Sequence, residues 1–221
     1  MQFQKIGAPT FSHLRCFLQP NESLIAEAGS MSQMDPRLRM KTTFNGGSFF
    51  IAAFRKLFGG EALFINQYLN QTADDLELQI TIECPGDIIC VEVENNHLAI
   101  QPGAFLASTS GVRWKLKWAG FSSFFAREGL FKMIPEGHGK LFLSSFGAIE
   151  ERYVDGIYII DSGHLVAWEQ SLNFQLKMSS NVFSSITSGE GFVTRLEGSG
   201  KIYLQTRQVP ALGSWLNRFF I

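Results

Sequence analysis

The chain has 221 residues, a mass of 24.7 kDa, 45% hydrophobic residues and a mean hydropathy of +0.05, values typical of a folded domain. Its 19 Lys and Arg residues nearly balance 20 Asp and Glu residues, and the net charge of −1 excludes the overall positive field of a typical nucleic-acid-binding protein. A chain of this length buries roughly 70% of its unfolded surface, so the size of the core does not limit stability.

The cysteines and the apolar runs indicate a cellular compartment. Cys16, Cys84 and Cys90 are sparse and form no CxxC motif, which predicts reduced thiols. The first residues lack the basic start and the continuous apolar run of a secretory signal. The longest uncharged run, 95–112, is too polar for a membrane-spanning helix of about 20 apolar residues. We therefore expect a cytoplasmic protein.

Period-two alternation of apolar and polar residues predicts strands along much of the chain. In the segment 76–83, Leu and Ile alternate with Glu, Gln and Thr, as in a half-buried strand. The same pattern recurs in further segments that are bounded by turn-forming residues: 89–93, 112–118, 174–178 and 202–204. Phe and Gly, at 21 residues each, supply a strand-forming aromatic residue and frequent turns. These features predict an all-β sandwich or barrel.

The sequence resembles itself at three places. Three segments begin alike: 23–26, 97–100 and 164–167. Further along each copy, a glutamate precedes an apolar stretch: Glu61, Glu128 and Glu190. The second and third copies also share a Gly-x-Gly-Lys motif, at 137–140 and 198–201, which predicts a hairpin turn. We infer three tandem antiparallel β units with these bounds: 1–91, 92–160 and 161–209.

The last predicted element is a helix at 210–221. After Pro210, apolar residues recur at a helical spacing: Leu212, Trp215, Leu216, Phe219 and Phe220. Such a helix is amphipathic and about three turns long. It either packs on its own chain or on a neighbouring subunit, or anchors the protein at a membrane surface through residues such as Trp215 and Phe219.

Short motifs distributed over the whole chain resemble one known family. They are GSMSQMD at 29–35, GGEALF at 59–64, PGDI at 85–88, GAFLAS at 103–108, EGLF at 128–131, GEGF at 189–192 and LQTR at 204–207. In this order they are similar to bacterial members of the altered-inheritance-of-mitochondria family. The resemblance implies a triplicated fold of the double-stranded β-helix, tryptophan RNA-binding attenuator-like type, often assembled as a trimer. It implies no established activity, and it links the fungal relative to organisation of the mitochondrial inner membrane.

The sequence contains no residue pattern typical of an enzyme. The four His residues are scattered singly, so they form no metal-binding motif. No GxSxG, GxGxxG or phosphate-binding loop is present. Cys16 and His13, three residues apart on an extended segment, point to opposite faces, which disfavours a Cys–His hydrolase. We therefore predict no catalytic, cofactor-binding or metal-binding residue.

Repeated charged residues leave alternatives open. Glu61, Glu128 and Glu190 either accept backbone hydrogen bonds at turns or form a polar-ligand site around a pseudo-threefold axis. Two basic rows, 37–41 and 113–117, either face solvent or meet RNA phosphates. A ring that binds a small ligand or RNA is therefore the alternative function, and RNA is the less favoured ligand.

Two Phe-rich inserts precede the first and second of these glutamates. Phe50 and Phe54 lie in one insert and Phe124 and Phe125 in the other, each near cationic residues. They are either buried, within the fold or at a subunit contact, or they dock on a membrane surface or an apolar partner. The sequence thus predicts a non-catalytic scaffold or interaction protein, a homo-oligomer with a trimer favoured, at the periphery of a membrane or bound to a membrane protein.

Overall fold

The structure is a computed structural model that describes residues 1–44, 64–94, 97–118, 131–178 and 192–220. Within these ranges the strands form antiparallel ladders, and one short α-helix lies at the C-terminal end. The predicted all-β class is therefore confirmed.

The smaller sheet contains four strands, which begin and end as follows: β1 (Gln2–Ile6), β2 (His13–Leu18), β4 (Met31–Met34) and β7 (Leu76–Thr81). Their order in the sheet is β1-β2-β7-β4. The alternating pattern of β7 explains its position, because Leu76, Leu78 and Ile80 are fully buried while Glu77 faces outward. The strand predicted at 76–83 is thus confirmed, and it ends two residues earlier than predicted.

The larger sheet contains the remaining strands. Up to residue 118 these are β3 (Ser23–Glu27), β5 (Arg39–Phe44), β6 (Phe64–Leu69), β8 (Ile88–Glu94), β9 (Leu98–Ile100), β10 (Phe105–Thr109) and β11 (Val112–Trp118). After residue 130 they are β12 (Phe131–Ser144), β13 (Ile149–Asp161), β14 (Leu165–Glu169), β15 (Asn173–Met178) and β16 (Phe192–Gln205). The main path runs β13-β16-β14-β9-β12-β10-β3-β6-β5, with β8 and β11 beside β12 and β15 beside β16.

The long strands β12 and β16 pass through the two Gly-x-Gly-Lys motifs. The predicted hairpin turns at these motifs are therefore wrong: β12 pairs with β11 as far as Gly137 and with β8 from His138 onward. Gly137 has a φ of +92°, and a Cβ there would lie 2.3 Å from the carbonyl oxygen of Gly111. The glycine is needed because the neighbouring backbone approaches closely and φ is positive, within a strand that continues.

Three clusters of buried apolar side chains form the core. Leu78 and Leu106 belong to the first cluster, Phe105 to the second and Ile202 to the third. β12 contributes to all of them, through Phe142, Met133 and Ile134 in that order. The clusters are therefore linked by a shared strand.

The predicted C-terminal helix is confirmed with different bounds. Helix α1 (Val209–Leu216) is followed by a 3-10 turn at Asn217–Phe219. Pro210 lies in the first helical turn, where its missing N–H would have had no partner. Among the described residues, no helix is both long enough and apolar enough to cross a membrane.

Candidate functional site

The C-terminal segment presents an apolar surface that nothing in the described chain covers. Every residue from 209 to 220 is exposed. The helical spacing gathers five apolar side chains, with exposed fractions from 37% to 81%: Leu212, Trp215, Leu216, Phe219 and Phe220. The rings of Trp215 and Phe219 meet edge to face, with their centroids 5.0 Å apart. The sequence-predicted contact residues Trp215 and Phe219 thus lie together on one exposed face.

The same segment is positively charged. Arg207 and Arg218 flank the helix, and the stretch from 207 to 220 contains no Asp or Glu. The Arg207 guanidinium donates a hydrogen bond to the carbonyl of Thr206, 3.0 Å away, and stays exposed. An exposed apolar face between two cations suits an apolar surface with a negative rim.

Polar contacts fix the start of this helix on the body of the protein. The Gln208 amide donates to the Asp161 carboxylate at 2.6 Å, and the Gln205 amide donates to the Gly163 carbonyl at 2.8 Å. His164 Nδ1 lies 2.6 Å from the Gln205 carbonyl oxygen. These bonds join the helix start to the 3-10 turn at Ser162–His164, so the exposed helix projects from a fixed point.

A second exposed apolar surface lies on strand β13, and sequence reasoning missed it. Tyr153, Ile157 and Ile159 point to the same side of the strand and are 58% to 63% exposed. β13 pairs only with β16, so in the described part of the chain it is the edge of its sheet. The run Ile157-Tyr158-Ile159-Ile160 was the available signal, because four successive apolar residues predict a strand buried on both faces.

The described residues contain no group of three or more His, Cys, Asp and Glu that could hold a metal ion. Cys16 and His13 lie on opposite faces of β2, as their spacing predicts. Burial raises the pKa of the Cys16 thiol to about 12, so it is protonated at neutral pH and is a poor nucleophile. The geometry therefore does not support a Cys–His pair.

The basic rows are partly neutralised by neighbouring carboxylates. Arg37 lies before β5 rather than on it, and its guanidinium contacts Asp35 at 3.1 Å and Asp74 at 2.6 Å. In the second row, Lys115 contacts Glu136 at 2.6 Å. These ion pairs reduce the positive charge that either row could offer to a phosphate backbone.

Seven residues of the predicted sites lie outside the described residues. They are Phe50, Phe54, Glu61, Phe124, Phe125, Glu128 and Glu190. The segments that contain them begin and end at paired strand positions: Phe44 with Phe64, Trp118 with Phe131 and Met178 with Phe192. Their roles stay predictions.

Comparisons with known proteins agree over nearly the whole chain. The model of a family described as mitochondrial biogenesis AIM24 matches residues 3–207. An uncharacterized protein of Streptococcus pyogenes serotype M6 is 30% identical over 227 residues, which cover 99% of this chain and 91% of the relative. A crystal structure of a Streptococcus pyogenes protein, 29% identical, superposes with a TM-score of 0.81 and covers 99% of both chains.

Proposed function

Because the chain belongs to the mitochondrial biogenesis AIM24 family, whose matched bacterial relative is uncharacterized, we propose its function from its own surface. We infer that the protein is a non-catalytic scaffold that assembles from several copies and lies at the cytoplasmic face of a membrane. The observation that supports this proposal is the exposed, cationic and aromatic C-terminal segment 207–220.

The apolar side chains of this segment are more stable at a lipid surface than in water. Aromatic residues such as Trp215 and Phe219 are stable at the boundary between headgroups and acyl chains, where Arg218 can contact anionic headgroups. Fully burying one large apolar side chain contributes roughly 1.5–3 kcal/mol. Because only a few such side chains are available, one helix would bind weakly and reversibly.

Assembly of several copies would strengthen this weak binding. Each additional helix held on the same particle binds at a high effective concentration, so the combined affinity exceeds that of one helix by orders of magnitude. A homo-oligomer, for which the family resemblance favours a trimer, therefore belongs to the proposal. A scaffold of this kind needs no catalytic residue.

Recurring strand geometry in the second and third parts of the chain supports the proposed tandem architecture. β10 and β14 contain the same bulge, between Phe105 and Ala107 in one and between Leu165 and Ala167 in the other. A further detail also recurs: the Thr109 hydroxyl accepts from the Lys140 N–H and the Glu169 carboxylate accepts from the Lys201 N–H, both at 3.0 Å. These matches align β8–β12 with β13–β16, which favours a third unit that begins with β13 (Ile149–Asp161), earlier than the bound of 161 expected from the sequence.

Liposome co-flotation tests the membrane proposal. We expect the full chain to float with vesicles containing anionic phospholipid and to float less with neutral vesicles. The double variant Trp215→Ser, Phe219→Ser should lose flotation, while Tyr153→Ser, an equally exposed aromatic on β13, should keep it. Circular dichroism and oligomer mass serve as controls for folding and assembly.

Two outcomes would contradict the proposal. One is a wild-type protein that stays at the bottom of the gradient with both vesicle types. The other is equal flotation of the wild type and the helix double variant, which would place lipid binding elsewhere on the chain.

A further inference from the structure

Two pairings between distant parts of the chain have the same register. β3 pairs with β10 through Ala26 with Ala107 and Ile25 with Ser108. β9 pairs with β14 through Ile100 with Ala167 and Ala99 with Trp168. In both cases a short apolar strand lies against the unbulged end of a bulged strand. We call these two pairings the junctions.

β4 has the shape of a bulged junction strand but has no junction partner among the residues that the structure describes. It pairs with β7 through Met31 with Ile80 and Gln33 with Gln79, and the register shifts between them as it does in β10 and β14. In the described part of the chain, β4 is the last strand of its sheet, and Ser32 and Gln33 are exposed.

The end of β13 has the same position relative to β16 that the short junction strand β9 has relative to β12. Ile160 pairs with Thr194 on β16, and Ile100 of β9 pairs with Met133 on β12. A 3-10 turn follows each of these strands, at Pro102–Ala104 and at Ser162–His164.

The difference between β9 and the end of β13 is exposure. All three residues of β9 are buried between two neighbouring strands. The end of β13 has a neighbour on one side among the described residues, and Ile157 and Ile159 are 58% and 62% exposed. An apolar strand with a free edge is prone to pair with another chain unless it is covered.

A backbone hydrogen bond between neighbouring parts of the chain also occurs twice in the same form. The Ser12 N–H donates to the Gly86 carbonyl at 3.0 Å, and the Asp87 N–H donates to the Gly147 carbonyl at 3.1 Å. At the next position in this series the acceptor differs: the Ala148 N–H donates to the Thr206 hydroxyl of the same chain at 3.0 Å, and not to the backbone carbonyl of a following part. Phe11, which precedes Ser12, is 70% exposed.

We propose that a second copy of this chain completes the series. The end of β13 on one copy pairs antiparallel with β4 of the next copy, in the junction register that places Ile159 opposite Met34 and Ile160 opposite Gln33. Gly147 then lies beside the Phe11 backbone of the second copy, as Gly86 lies beside Phe11 within one chain. The contact is head-to-tail, because two different edges meet.

The occupant is a second copy because the chain itself contains both halves of the contact. Within the described ranges, each copy offers one apolar strand end and one bulged strand that have no partner on one side, and both fit the register that the chain already uses twice. Head-to-tail contacts of this kind close into a ring when the rotation between copies permits and otherwise extend into a filament. The inference concerns how copies join. The contact between β13 and β4 can therefore be absent while the protein still binds membranes, and it can be present in a protein that does not bind them.

Light scattering after size-exclusion chromatography gives the first test. We expect the wild-type full chain to have a mass that is a multiple of 24.7 kDa. Ile159→Lys on the β13 edge and Met34→Lys on the β4 edge should each reduce the mass to that of one chain. Gln33→Asp serves as a second β4 variant at an exposed position, in case Met34→Lys loosens the core.

Tyr153→Lys is the matched control. Tyr153 lies on the same strand and side as Ile159 and is 63% exposed against 62%, yet it pairs with Lys201 outside the proposed junction. Its variant should keep the wild-type mass. Circular dichroism shows that each monomeric variant is still folded.

Mixing two monomeric variants distinguishes a head-to-tail contact from a symmetric one. Ile159→Lys keeps an intact β4, and Met34→Lys or Gln33→Asp keeps an intact β13. An equimolar mixture therefore contains one intact junction per pair and should give a 1:1 dimer with twice the mass of one chain. A folded mixture that stays monomeric would overturn the proposal, as would a monomeric wild type or a loss of assembly in Tyr153→Lys.

Discussion

At the scale of single residues, Asp87 is a buried carboxylate that contacts several polar groups. Its Oδ1 accepts hydrogen bonds from the Ser12 hydroxyl at 2.6 Å and the Ile88 N–H at 2.8 Å, and Lys5 Nζ lies 3.1 Å away. Burial by itself would raise the pKa of Asp87, but the hydrogen bonds from Ser12 and Ile88 and the nearby Lys5 outweigh it and lower the pKa. Asp87 therefore links the first strands of the chain to β8 as a carboxylate.

We expect Asp87→Asn to lower the free energy of unfolding by about 1–3 kcal/mol at pH 7, because a buried charge-assisted network loses its acceptor. Since the folded pKa lies below the unfolded one, this stabilisation is present above the unfolded pKa and is lost as pH falls through the folded pKa. Urea unfolding at pH 7 and at several values below pH 4 checks this. Asp75→Asn, at an exposed position, is the control. If the difference in free energy of unfolding between Asp87→Asn and the wild type were as large below pH 4 as at pH 7, this prediction would be contradicted.

The cysteines allow a second prediction at this scale. Cys16 is buried with a pKa of about 12, whereas Cys90 is exposed. At pH 8 a maleimide reagent should label Cys90 in the folded protein and leave Cys16 unmodified, and denaturation should make Cys16 reactive. Peptide mass spectrometry identifies the labelled site. Rapid labelling of Cys16 in the folded state would show that β2 opens far more readily than its burial indicates.

At the scale of the elements, the sequence predicts strands far better than it predicts their neighbours. Alternation locates β7 and β11 to within two residues, because successive side chains of a strand point to opposite faces, one of which is buried in β7. It does not reveal that β10 lies against β3, because pairing depends on contacts between residues about 80 positions apart. The Gly-x-Gly motifs predict turns, but a positive φ also occurs within the continuous strands β12 and β16.

The same limit applies to the self-similar segments and the candidate site. The sequence aligns 97–100 with 164–167, yet β9 and β14 are paired neighbours, and the bulge of β14 matches β10 instead. Short segments such as Leu98-Ala99-Ile100 and Leu165-Val166-Ala167 are too similar to distinguish adjacent apolar strands. The helix with Trp215 and Phe219 was found because helical spacing is a local signal. The sequence does not reveal that Ile159 is exposed, because its exposure depends on which strands pair with β13 and not on the neighbouring residues in the sequence.

Two glycines allow the cost of a strained backbone conformation to be measured apart from the cost of a steric clash. Gly137 and Gly156 have similar positive φ values, +92° and +99°, but a Cβ would lie 2.3 Å from the Gly111 carbonyl oxygen at Gly137 and meet nothing within 4 Å at Gly156. We expect Gly156→Ala to cost about 1–2 kcal/mol from the left-handed conformation alone. Gly137→Ala should cost clearly more, because a neighbouring backbone must also move. Urea unfolding of both variants compares them, and equal losses would contradict the role of the close approach.

At the scale of the whole molecule, the described chain has no boundary at which the core divides. β12 supplies side chains to all three apolar clusters, and the junctions join consecutive parts of one larger sheet. If the part of the chain that contains β12 unfolds, each cluster therefore loses some of its packing contacts. This predicts that the chain unfolds as one cooperative unit, although its sequence is internally repeated.

Core truncations in the first and third apolar clusters test this cooperativity. Leu106→Ala in the first cluster and Ile202→Ala in the third should each cost about 2–5 kcal/mol, because both side chains are fully buried. If the clusters are coupled, each variant shifts the entire unfolding curve, and far-ultraviolet circular dichroism and tryptophan fluorescence report the same midpoint at one fixed protein concentration. A variant that separates the curve into two transitions, with only one shifted, would show that the tandem parts fold independently. Coupled unfolding would instead mean that the shared strand β12, rather than the repeat, defines the folding unit.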